Sequence, residues 1–88
     1  MAWTVKINHY AEKQIKKLDN SAQKRILDYL FDRIEGCKNP RHFGLPLKGD
    51  KAAYWRYRVG DYRIICEILD KELIVLALSI GHRKEIYR

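Results

Sequence analysis

The sequence predicts a single α+β domain, with its helices early in the chain and its sheet late. Three observations predict it. A short alternating run occupies Trp3–Ile7, apolar residues then recur at helical spacing from Ala11 to Ile34, and alternation returns from Tyr54 onward. The length of 88 residues fits one domain over residues 1–88 with one core.

Trp3, Val5 and Ile7 alternate with Thr4 and Lys6, as in a half-buried strand. Asn8 is the expected N-cap of a first helix. The inner face of that helix carries Ala11, Ile15 and Leu18, and its outer face Glu12, Lys13, Lys16 and Lys17. Asp19-Asn20-Ser21 interrupts the period, and Ser21 is expected to cap a second helix. In that helix Ile26, Leu27, Leu30, Phe31 and Ile34 form an apolar stripe, and Gly36 suits the C′ position. The two helices make a hairpin that needs a sheet to cover. Cys37 to Lys51 has no period and reads as a loop, with Leu45 and Leu47 held against the core edge.

Three antiparallel strands in a meander follow. Gly60-Asp61 is the two-residue loop of a β-hairpin, so Val59 pairs with Tyr62 and Arg58 lies opposite Arg63. Alternation sets Tyr54, Arg56 and Arg58 on one face and Trp55, Tyr57 and Val59 on the other. Asp70-Lys71 reads as a second tight turn before the apolar strand Glu72–Ile80. That register puts Arg63 opposite Leu78 and Asp61 opposite Ile80, and delivers the tail beyond Gly81 to the hairpin tip. The first strand joins this sheet either beside the last strand or at an edge. A short C-terminal helix or tail completes the chain.

Lys and Arg total 18 against 11 Asp and Glu, a formal charge of +7. That excess favours a polyanionic partner, although it also serves solubility alone. Cys37 and Cys66 are too few for a disulfide-stapled secreted domain. No apolar stretch approaches the ~20 residues that span a bilayer. The expected setting is therefore the cytoplasm, with no membrane partner. The cysteines and His9, His42 and His82 lack zinc-ligand spacing, and no metal or other cofactor is expected.

Arg56, Arg58, Arg63 and Arg83 are expected at one end of the sheet. Arg58 facing Arg63 is a like-charged cross-strand pair, which a fold does not need. Guanidinium groups match phosphate oxygens bidentately and stabilise charge developing on a phosphate under attack. The competing use is a rim of salt bridges or a seat for an acidic partner. Tyr54, Tyr62 and Tyr87 supply faces on which bases stack, and Lys51 adds positive charge before the hairpin.

The Tyr62-Arg63 pair after the turn, the apolar last strand, and the tail Ile80-Gly81-His82-Arg83-Lys84-Glu85-Ile86-Tyr87 resemble the RelE branch of the RelE/ParE toxin superfamily. The similarity runs over nearly the whole chain, including the Leu47-Lys48-Gly49 step. It implies a RelE-like fold and a toxin of a bacterial toxin–antitoxin pair. Such toxins are endoribonucleases that cut messenger RNA in the ribosomal A site without a metal, by attack of the substrate's 2′-OH on the adjacent phosphate. The implied partners are the ribosome, messenger RNA and a cognate antitoxin, with operator DNA reached only through the antitoxin complex.

Carried over by position, Arg63 would hold the scissile phosphate. Arg83 would stabilise the transition state or the leaving 5′-oxygen, and Tyr87 would orient or activate the attacking nucleotide. Arg56 and Tyr54 stand where some RelE proteins carry lysines, so a lysine general base does not transfer. His82 and Tyr87 remain as candidates for moving the proton, histidine as a residue type titrating near ~6.5. The alternatives are a ParE-like inhibitor of DNA gyrase, or a catalytically inactive module that only binds an antitoxin.

Overall fold

The computed structural model describes residues 2–47 and 54–82. Lys51, Arg83, Tyr87 and the expected C-terminal helix or tail lie outside the described residues. The described elements are β1 (Thr4–Ile7), α1 (His9–Lys16), α2 (Asn20–Asp28), β2 (Leu45–Pro46), β3 (Tyr54–Val59), β4 (Tyr62–Leu69) and β5 (Ile74–His82). The sheet order is β1-β5-β4-β3-β2, with β1 parallel to β5 and every other pairing antiparallel. The expected α+β class and meander are present. The position of β1, open in the sequence, is beside the last strand.

Local chemistry sets the helix starts. Asn8 caps α1, its Oδ1 accepting from Ala11 N–H at 2.8 Å. The cap of α2 is Asp19 rather than Ser21: Asp19 Oδ1 accepts from Ala22 N–H at 2.9 Å, and the helix starts at Asn20. Either residue type serves, but a carboxylate also favours the positive end of the helix dipole.

The apolar stripe of the second helix runs through Ala22, Ile26, Leu30 and Ile34, all buried. Phe31, expected in it, is 40% exposed. A spacing of four residues drifts about 40° per step around an α-helix of 3.6 residues per turn. The helix corrects that drift by widening into a π turn over Tyr29–Ile34, where Glu35 N–H donates to Leu30 O at 2.9 Å. Ile34 is thereby kept on the buried face. Gly36 follows with φ +81°, the expected helix stop.

The core lies between the helices and one face of the sheet. It joins Ala11, Ile15, Ile26, Leu30 and Ile34 to Val5, Tyr57, Ile64, Cys66, Val75 and Ala77. Cys37 and Cys66 are free thiols, and burial pushes the Cys66 thiol up to about 12, so it fills space and is no nucleophile at neutral pH. Tyr57 is fully buried, and its hydroxyl donates to Pro40 O at 2.8 Å.

The stretch read as a loop after Gly36 contains two short elements. A 3₁₀ turn spans Pro40–His42, and β2 adds a two-residue edge to β3. Leu45 is 57% exposed, not tacked against the core as expected, because its place opposite Arg56 puts it on the sheet face away from the helices. Trp55 Nε1 donates to Phe43 O at 2.6 Å and fixes this segment to β3.

The β4–β5 register also differs from the expectation. The connection is Asp70–Leu73, four residues rather than two, and it closes through Leu73 at φ +56°. An irregularity at Ile65/Cys66 then leaves Leu78 as an extra residue on β5. The result is that Arg63 pairs with Gly81, not Leu78, and Tyr62 pairs with His82. The bulge reverses the alternation of β5 beyond it, so Ile80 and His82 share the helix side with Val75 and Ala77.

Arg41 clasps Asp70 through two hydrogen bonds of 2.7 and 2.9 Å and ties the 3₁₀ turn to the β4–β5 connection. This contact holds the Asp70 carboxyl below the usual carboxylate range. Its stabilisation is therefore present above the unfolded carboxylate range and lost as pH falls through the folded one. Unfolding of wild type and Asp70→Asn by urea is expected to differ most at neutral pH. The difference should shrink toward zero as pH falls through and below the folded carboxyl's lowered range, and a difference independent of pH would contradict the clasp.

Candidate functional site

The β3–β4 hairpin positions the basic residues. Gly60 adopts φ +59°, while Asp61 stays at negative φ, the primed turn geometry that matches strand twist. Val59 pairs with Tyr62, Tyr57 with Ile64, and Arg58 with Arg63, as the sequence implies. With Tyr57 and Val59 buried against the helices, Arg56, Arg58 and Arg63 are forced onto the other face.

These three arginines line one cavity of about 300 Å³ with Gly44 and Leu45. Gly44 matters to its wall. It has φ +71°, and a Cβ there would run into Arg56 O and come within 2.9 Å of Trp55 Nε1. Glycine therefore lets the loop press against β3 beside the guanidinium groups.

Arg63 is only 5% exposed. Its Nη1 donates to Gly60 O at 3.4 Å and to Tyr62 O at 3.2 Å. Arg58 Nε donates to the same Gly60 oxygen at 3.5 Å. The Gly60 carbonyl thus draws two guanidinium groups toward the hairpin tip. Arg25, on α2, reaches the same tip from the helix side, where a Cβ on Gly60 would collide with its guanidinium. The sequence reading missed Arg25, since it lies far from the hairpin in the chain and looks like an ordinary exposed helix charge.

The remaining site candidates are distributed differently. Tyr54 shares the arginine face, pairs with Glu67, and stands two residues along β3 from Arg56, about 7 Å away at ~3.3 Å per residue. Tyr62 and His82 lie on the opposite, helix-covered face, with ring centroids 5.5 Å apart in an edge-to-face contact. Tyr62 pairs with Val59, as the sequence register implies, and so lies on the face opposite the arginines. The roles inferred for Arg83, Tyr87 and Lys51 fall on residues outside those described. Among the described residues, no group of three His, Cys, Asp or Glu side chains could hold a metal ion.

The profile of a family described as the ParE toxin of type II toxin–antitoxin systems matches residues 5–87. The chain belongs to this family. Toxin RelG of Mycobacterium tuberculosis is 28% identical over 88 residues, covering 100% of this chain and 99% of its own. Toxin YoeB of Streptomyces coelicolor is 30% identical over 69 residues, 77% of this chain and 76% of its own. Among solved structures, the toxin–antitoxin complex RelBE2 of M. tuberculosis aligns with a TM-score of 0.82 at 26% identity, over 94% of this chain and 93% of the other. A doubly substituted free E. coli RelE toxin shares the fold, with a TM-score of 0.75 at 21% identity over 99% and 92% of the two chains. The protein is a RelE-type member of the RelE/ParE toxin superfamily and a type II toxin.

In this RelE-type toxin the facing Arg58–Arg63 pair opposes folding. Replacing Arg58 with glutamine is expected to raise stability by roughly 0.2–1 kcal/mol in denaturant unfolding, the scale of a cross-strand pair. A loss of stability of that size would mean that Arg58 supports the hairpin instead.

Proposed function

We propose that the toxin is a ribosome-dependent endoribonuclease that cuts messenger RNA in the A site. The observation that carries this reading is the cavity shared by Arg56, Arg58 and Arg63, three cations on one sheet face, two of them bonded to a backbone carbonyl. Such a site fits a phosphodiester, whose oxygens a guanidinium fork meets two at a time.

In the reaction, the substrate's 2′-OH attacks the adjacent phosphorus. The bond to the 5′-oxygen breaks, leaving a 2′,3′-cyclic phosphate and a free 5′-OH. Arg63 holds the scissile phosphate, and Arg56 and Arg58 offset the charge that grows on its oxygens. Arginine is a poor proton acceptor, so proton transfer belongs elsewhere. The face on which His82 sits weighs against its acting directly on a phosphate in the arginine cavity. Tyr87 is the better candidate, with Arg83 at the leaving oxygen. The ribosome orders the messenger for in-line attack, so cleavage of free RNA by the isolated toxin is slow. A cognate antitoxin is the neutralising partner, as the toxin–antitoxin complexes of RelE relatives suggest, and operator DNA is met through that complex.

The family profile, described for ParE, supports a second reading, inhibition of DNA gyrase. Brief induction followed by primer-extension mapping on translating ribosomes separates the two. Wild type is expected to give cuts within the A-site codon, and Arg63→Ala to reduce them roughly 100-fold or more. DNA damage and filamentation with intact messengers would overturn the nuclease reading in favour of gyrase.

A further inference from the structure

The helix side of the same sheet end carries a second cleft, of about 560 Å³, lined by Tyr10, Lys13, Gln14, Lys17, Leu18, Tyr62, Ile80, Gly81 and His82. Its floor is the reversed end of β5, where Tyr62 and His82 pair across the ladder. Its wall is the outer face of α1. β1 leaves the edge of β5 where Ile7 pairs with Ala77, and Gln14 takes over that edge, its Oε1 accepting from Ile80 N–H at 2.7 Å. This bond fixes α1 beside the last strand and sets the cleft.

The lining chemistry is one-sided. Among the described residues it contains two lysines, a histidine and two tyrosines, and no carboxylate. Lys13 and Lys17 sit one turn apart, a like-charged spacing that works against the helix. The nearest acid on α1, Glu12, is engaged with Lys16 at 3.5 Å. Tyr10 is 63% exposed at the rim, a large ring that the core does not use. Rings beside cations are what a single-stranded nucleic acid needs, faces for bases and charges for phosphates.

The cleft also adjoins the arginine cavity. Gly81, which helps line it, is the partner of Arg63 across the β4–β5 ladder.

We propose that this cleft is a second RNA subsite. It receives a nucleotide next to the cleaved bond, the base against Tyr10, Tyr62 and His82 and the flanking phosphates at Lys13 and Lys17. The messenger then wraps over the sheet end, with its scissile phosphate on the arginine face. His82 acts as a stacking surface, not as an acid or base. This inference rests on the nuclease reading and adds a subsite to it.

The test is equilibrium binding of a short single-stranded RNA carrying 2′-O-methyl groups throughout, which cannot be cut, followed by fluorescence anisotropy across a salt series. Wild type is compared with Lys13→Ala/Lys17→Ala, Tyr10→Ala and Arg56→Ala, each checked for a folded spectrum by circular dichroism. Lys13→Gln/Lys17→Gln serves if the alanine pair does not fold. Loss of two phosphate contacts is expected to reduce the slope of log affinity against log salt by about 1.4, at ~0.7 per contact. Tyr10→Ala is expected to weaken binding at least 5-fold with the slope unchanged.

A wild-type slope in both lysine pairs, with a reduced slope in Arg56→Ala, would overturn the subsite and leave the nuclease reading standing. Loss of antitoxin affinity in the lysine pairs with RNA binding intact would assign the cleft to the antitoxin and also overturn the proposal. No salt-dependent RNA binding by wild type would overturn the subsite, while A-site cuts after induction would keep the nuclease reading.

Discussion

The site depends on a charged group kept almost out of water. Arg63 is buried in a strand, faces another arginine, and donates from its guanidinium to two backbone carbonyls. Burying a cation is costly unless its donors are satisfied, and carbonyl oxygens satisfy them without removing the charge. The hairpin tip is shaped to supply those oxygens. Gly60 turns the chain so that its carbonyl meets both Arg58 and Arg63, and its missing Cβ leaves room for Arg25. Stability lost in this one corner is offset by the core below it, where Tyr57, Ile64 and Val59 seat the same hairpin against the helices.

Much of this was legible in the sequence, where short-range physics decides. The β3–β4 register followed from a Gly-Asp pair between alternating runs, and with it the grouping of Arg56, Arg58 and Arg63 on one face. The Asn8 cap and the Gly36 stop followed from residue chemistry. Features set by long-range packing were not legible. Phe31 fits an ideal helical stripe, but the π turn rotates the buried face away from it. Asp70-Lys71 resembles a tight turn, but the clasp with Arg41 belongs to a wider connection, and Arg41 lies 29 positions earlier. The bulge at Leu78 leaves no mark in an apolar run that reads equally well in either register. That single residue decided the face of His82.

Two side chains do work normally done by strands. Glu35 Oε1 accepts from Val5 N–H at 3.0 Å, and Gln14 Oε1 accepts from Ile80 N–H at 2.7 Å. Both fill a backbone donor on a strand edge that has no neighbouring strand there among the described residues, which blunts the edge against stray pairing. Gly36 N–H adds a bond to Trp3 O at 2.8 Å, so β1 is gripped from outside as well as by β5.

The parallel pairing of Thr4 with Ile74 joins the start of the sheet to its end. During synthesis β1 emerges well before β5 and waits for it. Long sequence separation of this kind slows folding and leaves intermediates exposed meanwhile. A chain that stops before β5 has no central strand, no partner for β1 and no finished rim beside the hairpin. Production of a harmful protein thus carries its own delay, because a fragment released too early has nothing to be harmful with.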